Sequence, residues 1–530
     1  MKRNKLLDIL SGVFLAVQVV AEVLVGAFIA RLNMLPALYS ILLIIFGILL
    51  VAGTGALLFL GNRAKRGFQI RRCIGWVLVV LVVVGCMVAA TVAADVYETL
   101  YSMTTPPPAA DGIVRTVVVL KDDPAQTLQD AAEYRFGIVS DYDTYYTEKA
   151  IEDIETQLGK KVTLVQVDSM AALVNALTGK QVGAIILGQG ILETVKEIEE
   201  YKTLPDQIRY LYNAVIPEAA VDPVDPTDPT DPTGSSDPTD PSDPDDDDPP
   251  RVTIPSGSGS ITERPFVVYI SGSDSRDTVI SNSGRSDVNI LAVVNPKTKQ
   301  VLLITTPRDA YIPNPALGGG LDKLTHCGNN GVNNTIRALE NLYSVSVDYN
   351  VRINFTGFET MIDAIGGITV DVPFSFTSGQ DAGGVERFEK GQNLLDGRKA
   401  LIFARERAAF TTGDFERGRN QMRVIKAVIN KVTTSPAIIA NYSGILDSMK
   451  NMFTMRGLTM NDISSLVKMQ ITDMAEWDVF SYDVQGDSYY RETASWKGVE
   501  LSVVELYTGH LNKATNLIAR MMAGEKLTNV

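Results

Sequence analysis

The chain has 530 residues, more than one hydrophobic core organises, with 62 acidic against 48 basic side chains and a net charge of −14. Eleven of the aspartates fall between Asp222 and Asp248, so the rest carries about −3, and no basic block or zinc-finger spacing supports nucleic-acid binding. Three cysteines and two histidines, His326 and His510, are too few for a disulfide-stapled exterior, a His-based zinc site or a Ser-His-Asp triad, which leaves carboxylates, arginines and a hard cation to carry any chemistry.

Three apolar runs, from Leu6 to Ala30, Pro36 to Leu60 and Cys73 to Tyr97, are each long enough to cross a bilayer core of roughly 30 Å as a helix. They predict a multi-pass membrane domain over residues 1–100. Lys2, Arg3 and Lys5 precede the first run, and Arg63, Lys65, Arg66, Arg71 and Arg72 crowd the loop before the third, whereas the first loop holds Arg31 alone. That asymmetry predicts an inside N-terminus and, after three crossings, an extracytoplasmic remainder. A late cleavable signal segment is a weaker reading of the third run, because two spans precede it. Glu22, inside the first run, is given no role.

Residues 111–217 alternate short apolar runs (VRTVVVL, YRFGIVS, KVTLVQV, VGAIIL) with helix-like stretches at Thr144 to Leu158 and Ser169 to Leu177. The expectation is an α/β accessory domain. Its order is similar to one lobe of an extracellular solute-binding protein, and a spacer or docking domain without ligand accounts for the same pattern.

Residues 218–262 form an Asp/Pro/Thr-rich tract in which each proline removes a hydrogen-bond donor and the aspartates repel one another. It cannot build a core. As polyproline II at roughly 3.1 Å per residue, its thirty most biased positions reach on the order of 90 Å, and a plain linker and a stalk that lets the last domain search its surroundings are compatible readings.

The C-terminal domain, residues 263–530, opens with the strand PFVVYI and the loop SGSDSR, which carries Asp274 and Arg276. Next come GRSD, the strand VNILAVV, the turn NPKTK, and the strand VLLITT ending in PRD. In such a hairpin the start of one strand lies beside the end of the other, so Arg285 and Asp287 are expected next to Arg308 and Asp309. A single pair would be a surface salt bridge. Recurrence of acids and arginines at strand ends, where α/β folds place ligands, favours a site instead.

Farther on, Asp396 is placed to cap a helix to about Ala404 that releases Arg405 and Arg407, and Asp414 to cap a second helix in which Arg417 and Gln421, four apart, share a face with Val424 and Val428. Arginine forks bind two phosphate oxygens at once, and paired carboxylates suit a magnesium ion bridging the same oxygens. Together they point to a pyrophosphate.

From about Pro265 onward the chain resembles the LytR-CpsA-Psr family of membrane-anchored phosphotransferases, through GSDSR, GRSDVNILAVVNPKTKQVLLITTPRD, DKLTH, FETMIDAIGGITVDVP and LLDGRKALIFARERAAFTTGDFERGRNQ. The resemblance covers about half the chain. It implies an α/β fold with a central mixed sheet flanked by helices, and transfer of a teichoic-acid- or capsule-like glycopolymer from an undecaprenyl-pyrophosphate carrier to a peptidoglycan sugar hydroxyl. It further implies a cell membrane, a Gram-positive source and Mg2+. By the same resemblance Asp274 and Asp287 are the magnesium-associated acids, and Arg285, Arg308, Lys323, Arg405, Arg407, Arg417 and Gln421 the pyrophosphate-binding set. Asp287, Arg308 and Asp309 are the catalytic candidates, with Asp309 either a base or a group that orients Arg308. A polyprenyl-pyrophosphate hydrolase and a noncatalytic lipid-precursor receptor are the alternatives. The family often has IPRD where this chain has TTPRD, and THCGNNG departs from the usual residues after DK, so His326 and Cys327 are expected to alter the lip of the site. Cys327 reads as a small buried residue before it reads as a reactive thiol.

Overall fold

The computed structural model describes residues 2–60, 70–104, 112–140, 143–188, 190–196, 198–217, 259–273, 280, 283–435, 445 and 453–530. Asp274, Arg276 and the acidic tract lie outside these residues.

Three helices are long and apolar enough to cross a membrane: α1 (Lys2–Leu32), α2 (Ala37–Phe59) and α3 (Ile70–Thr104). At roughly 1.5 Å per residue, α3 is about 20 Å longer than a bilayer core, and its last turns have another use. Val96 and Leu100 are buried in a cluster with Ile362, Phe403 and Val424 of the C-terminal domain, and Leu32 and Met34 pack at its edge.

The accessory domain runs β1 (Gly112–Leu120), β2 (Arg135–Val139), α4 (Thr144–Leu158), β3 (Thr163–Val167), α5 (Met170–Thr178), β4 (Ala184–Gly188), α6 (Ile191–Val195), α7 (Leu204–Gln207) and β5 (Ile208–Pro217). Its sheet order is β3-β2-β4-β1-β5, with β2 parallel to β3 and β4, and β1 antiparallel to β4 and β5. Strand β1 is buried almost throughout because both sheet faces are covered, one by α4 through Ala150 and Ile154, the other by α5 through Leu173 and Leu177. Strand β5, which the apolar runs do not reveal, sits at the edge, where exposed Tyr210 and Val215 break up the hydrophobic signal.

The C-terminal domain contains β6 (Phe266–Ser273), β7 (Ser286–Asn295), β8 (Gln300–Thr305), β9 (Tyr311–Asn314), β10 (Gly320–Lys323), α8 (Leu324–Cys327), α9 (Val332–Tyr343), β11 (Tyr349–Asn354) and α10 (Phe355–Ala364). After these come β12 (Ile368–Val372), β13 (Phe376–Thr377), β14 (Arg387–Phe388), β15 (Gly391–Leu395), α11 (Gly397–Arg405), α12 (Asp414–Thr434) and β16 (Phe453–Arg456). The domain ends with α13 (Met460–Asp473), β17 (Asp478–Asp483), β18 (Gly486–Thr493), β19 (Trp496–Leu506) and α14 (Thr508–Met522). The central sheet is mixed, as expected, in the order β16-β11-β6-β7-β8-β17. One face packs Tyr269, Leu291 and Leu302 against α9 and α14, and the other packs Ile290 and Leu303 against Met422 of α12.

The accessory and C-terminal domains touch. Trp496 and Leu501 of β19 are buried in the accessory core beside Leu173 and Leu192, and the Trp496 ring stands 6.2 Å from that of Tyr201.

Candidate active site

The hairpin register builds the centre. Strands β7 and β8 pair Ile290 with Thr305, and continuing that antiparallel register three residues outward sets Asp287 opposite Arg308. A side-chain nitrogen of Arg308 donates to Asp287 Oδ1 at 2.9 Å. Helix α12 then closes from above. Gly418 lies against the end of β8, where a Cβ would come within 3.2 Å of Thr305, and the close approach brings Arg417 toward the Asp287–Arg308 pair. Gln421, one turn on, donates to the Ala404 carbonyl at 3.4 Å.

Burial alone would push the Asp287 carboxyl up. Arg308, Arg285 and Arg417 together outweigh that and hold it down at about 2. The Arg308 guanidinium is correspondingly held firmly protonated: desolvation works against the charge, and Asp287, Asp309 and Asp414 overcome it.

These groups face a cavity of about 810 Å³. Arg285, Asp287, Arg308, Arg405, Arg407, Arg417 and Gln421 all line it. Its described lining carries five arginines and Lys196 against Asp287 and Asp381, an excess of positive charge suited to a multiply charged anion. Ile353, Phe358, Met361, Leu401, Val424 and Val428 also line it and make an apolar wall. Phe358 and Met361 also pack against the cluster that holds Val96 and Leu100, so this wall and the end of α3 share one hydrophobic body.

Two predicted site residues stand back from the cavity. Asp309 is 3.6 Å from Arg308 Nε and 3.2 Å from Lys323 Nζ, and Lys323 is only 3% exposed. They form a chain of alternating charge beside Arg308. Asp274 lies outside the described residues.

Local capping differs from expectation at one of two helices. Asp396 accepts from the Lys399 N–H at 2.8 Å and caps α11, whose end releases Arg405. Asp414 is the first residue of α12, whose cap position is Gly413, and its carboxylate pairs with Arg417 three residues on, so it orients a cavity arginine. His326 and Cys327 are also not at the lip. Both are buried, because α8 turns inward: His326 Nδ1 lies 2.7 Å from Asp322 and 3.0 Å from Ser495 Oγ, and burial pushes the Cys327 thiol up. With Asp322 and Ser495 on the same ring nitrogen, the three cannot work as a proton relay.

Several residues of the site carry no motif signal of their own. Buried Arg352 donates to Ser271 Oγ at 2.8 Å and to the Gly284 carbonyl at 3.4 Å, bracing the loop that presents Arg285. Its charge inside the strand-like VRIN is a signal that could have revealed it. Buried Glu406 accepts from the Gly379 and Ala409 N–H groups at 2.6 and 2.8 Å and fixes the backbone between Arg405 and Arg407. Lys196 and Tyr210, from the accessory domain, also line the cavity.

A family model described as the LytR_cpsA_psr family matches residues 236–510. The teichoic acid transferase TagU of Bacillus licheniformis, in full a polyisoprenyl-teichoic acid–peptidoglycan teichoic acid transferase, is 31% identical over 260 residues, 48% of this chain and 77% of that protein. TagT of Bacillus subtilis, named for the same activity, is 34% identical over 43% of this chain and 71% of its own length. Among solved structures, TagT bound to LI-WTA aligns over 51% of this chain and 96% of its own with 26% identity and a TM-score of 0.40. Bacillus subtilis TagV aligns over 50% and 99% with 24% identity and a TM-score of 0.41.

Proposed function

The chain belongs to the LytR_cpsA_psr family, and on that premise we propose that it transfers a phosphorylated glycopolymer from an undecaprenyl-pyrophosphate carrier to a peptidoglycan sugar hydroxyl. The observation that carries this reading is the composite cavity: it is lined by five arginines and by an apolar set that merges with the packing at the end of α3. An amphiphile with a pyrophosphate head and a polyprenyl tail fits both halves. The merger with α3 supports delivery of the tail from the bilayer, with the tail staying in apolar surroundings. The basic flanks of α1 and α3 support an inside N-terminus and an extracytoplasmic site, in the cell membrane of a Gram-positive bacterium.

In the mechanism, the acceptor hydroxyl attacks the phosphorus bonded to the glycopolymer. The bond from that phosphorus to the bridging oxygen breaks, polyprenyl phosphate leaves with the bridging electrons, and the hydroxyl proton passes to solvent or to the released phosphate. Arg308, Arg285 and Arg417 hold the pyrophosphate oxygens and spread the charge that shifts to the leaving group, and Arg405 and Arg407 add to the grip. Asp287, ionised down to about pH 2, is a poor proton acceptor and fits charge placement better than base catalysis. Asp309 and Lys323 keep Arg308 aimed at the cavity.

One carboxylate of the proposed magnesium pair, Asp287, lines the cavity, and Mg2+ commonly takes one or two carboxylates with substrate phosphate oxygens completing its shell. Asp287, with Asp274, would hold the ion, which when bound supplies neutralisation of the pyrophosphate charge.

The full chain in detergent, given a short polyprenyl-pyrophosphate saccharide, Mg2+ and peptidoglycan fragments, tests the proposal by mass spectrometry of the saccharide. Saccharide phosphate joined to the fragment is expected. Free saccharide phosphate alone would make the protein a hydrolase, and bound but unchanged substrate would make it a receptor.

A further inference from the structure

The acceptor and carrier chemistry gives no reason for a second folded domain, yet that domain reaches the cavity. Gly190, just before α6, packs so closely on the C-terminal domain that a Cβ there would overlap the side-chain oxygen of Asn329 and come within 3.3 Å of Gly284 Cα. Gly284 adjoins Arg285 and shares the cavity lining with it. The seam has two further ties. Asn330 donates to Asp143 Oδ2 at 2.6 Å, while Asp143 is also ion-paired with Arg115, all three being buried. On the other side, Trp496 is sunk in the accessory core against Tyr201. A buried hydrogen bond to an ion-paired aspartate, a buried aromatic anchor and a glycine contact are the composition of a fixed interface rather than of a tethered neighbour.

From this docked position exposed Lys196 and Tyr210, itself 55% exposed, complete the cavity lining. We propose that the accessory domain is a wall of the substrate site, and that Lys196 and Tyr210 contact the phosphate-bearing saccharide head of the lipid-linked substrate beyond the pyrophosphate. The inference rests on the transferase reading for the identity of that head. The cationic Lys196 supplies a point charge for a polymer phosphate, and Tyr210 an amphipathic ring and hydroxyl for an adjoining sugar. Gly190, packed against Gly284, lines the same cavity as Lys196 and Tyr210, so the accessory domain is joined to the site at the loop that carries Arg285. A domain that fixes the head group is a specificity element for the polymer, with the pyrophosphate grip left to the arginines.

Full-length variants in detergent test this with two probes of equal chain length, a polyprenyl-pyrophosphoryl saccharide carrying a phosphate and the bare polyprenyl pyrophosphate. Lys196→Glu is expected to raise KM and Kd for the saccharide probe about tenfold, with kcat within about twofold and Kd for the bare probe unchanged. Lys196→Arg should restore the parent values, and Tyr210→Ala should raise the saccharide Kd about fivefold with the bare probe again unaffected. Gly190→Leu, which disrupts the seam, should reproduce the Lys196→Glu pattern. If Lys196→Glu and Tyr210→Ala both bind the saccharide probe within twofold of the parent while Arg308→Ala is inactive, the accessory wall is refuted and the transferase stands. Equal weakening for both probes would also refute head-group recognition. A parent that binds but never transfers would overturn the transferase reading, and the Kd comparison would still decide the role of Lys196.

Discussion

Two polar clusters of the C-terminal domain sit on neighbouring elements and have opposite surroundings. Asp287 and Arg308 meet at the open end of the β7–β8 hairpin and face a cavity of about 810 Å³ among four further arginines that approach from loops and helices. Asp322, His326 and Ser495 meet a few residues beyond, sealed in the core, where the Asp322 carboxylate also accepts from Asn314 at 3.2 Å and the Lys323 N–H at 2.8 Å. The first is rich in charge and accessible; the second is closed, with both Asp322 carboxylate oxygens engaged inside the protein. Polar side chains become a ligand site where the fold leaves like charges together with room between them. Where every acceptor is used internally, they become structure. Lys323 and Asp309 lie between the two and transmit the rigidity of the sealed cluster to Arg308.

The largest effect should come from the open cluster. Arg308→Ala is expected to lower transfer by about 10² to 10³, as loss of a donor to developing charge does, with an unchanged circular dichroism spectrum. Near-parental turnover would remove the proposed site. Asp322→Ala should invert the pattern: four donors lose their acceptor in the core, at a cost of about 3 kcal/mol in denaturant unfolding, while the folded fraction turns over within about threefold of the parent. A selective loss of kcat in that variant would show that the sealed cluster belongs to the chemistry.

The comparison can be sharpened by pH. Asp287 has a folded value of about 2, below the ordinary carboxylate value of about 3.9, so its contribution to stability is present above the latter and fades as pH falls through 2. No activity transition from Asp287 is therefore expected between pH 5 and 8. In Arg308→Gln the carboxyl loses its leading charge partner and its pKa should rise, as read by NMR titration; an unmoved value would mean that Arg285 and Arg417 suffice. The smallest effect concerns Cys327. Buried at the edge of the sealed cluster with its thiol pushed up, it should resist a thiol reagent until the domain unfolds, and prompt labelling of the native protein would place it at a surface.

The sequence by itself determined the three apolar helices, the four more apolar accessory strands, and the hairpin that sets Asp287 against Arg308. Each is a local consequence of apolar period, turn chemistry or antiparallel register. Arg417 and Gln421 were legible as one helical face for the same reason. Tertiary structure alone decided which polar residues face the cavity. Lys323 carries as much charge in the sequence as Arg308, and only packing sets it behind Asp309. His326 and Cys327 follow a site motif, yet α8 turns them into the core. Gly190 and Trp496 carry no signal of a domain seam, because the contact between Gly190 and Asn329 joins residues far apart in the chain and depends on shape. Local chemistry is written in spacing; access is a property of the space left between elements after they pack.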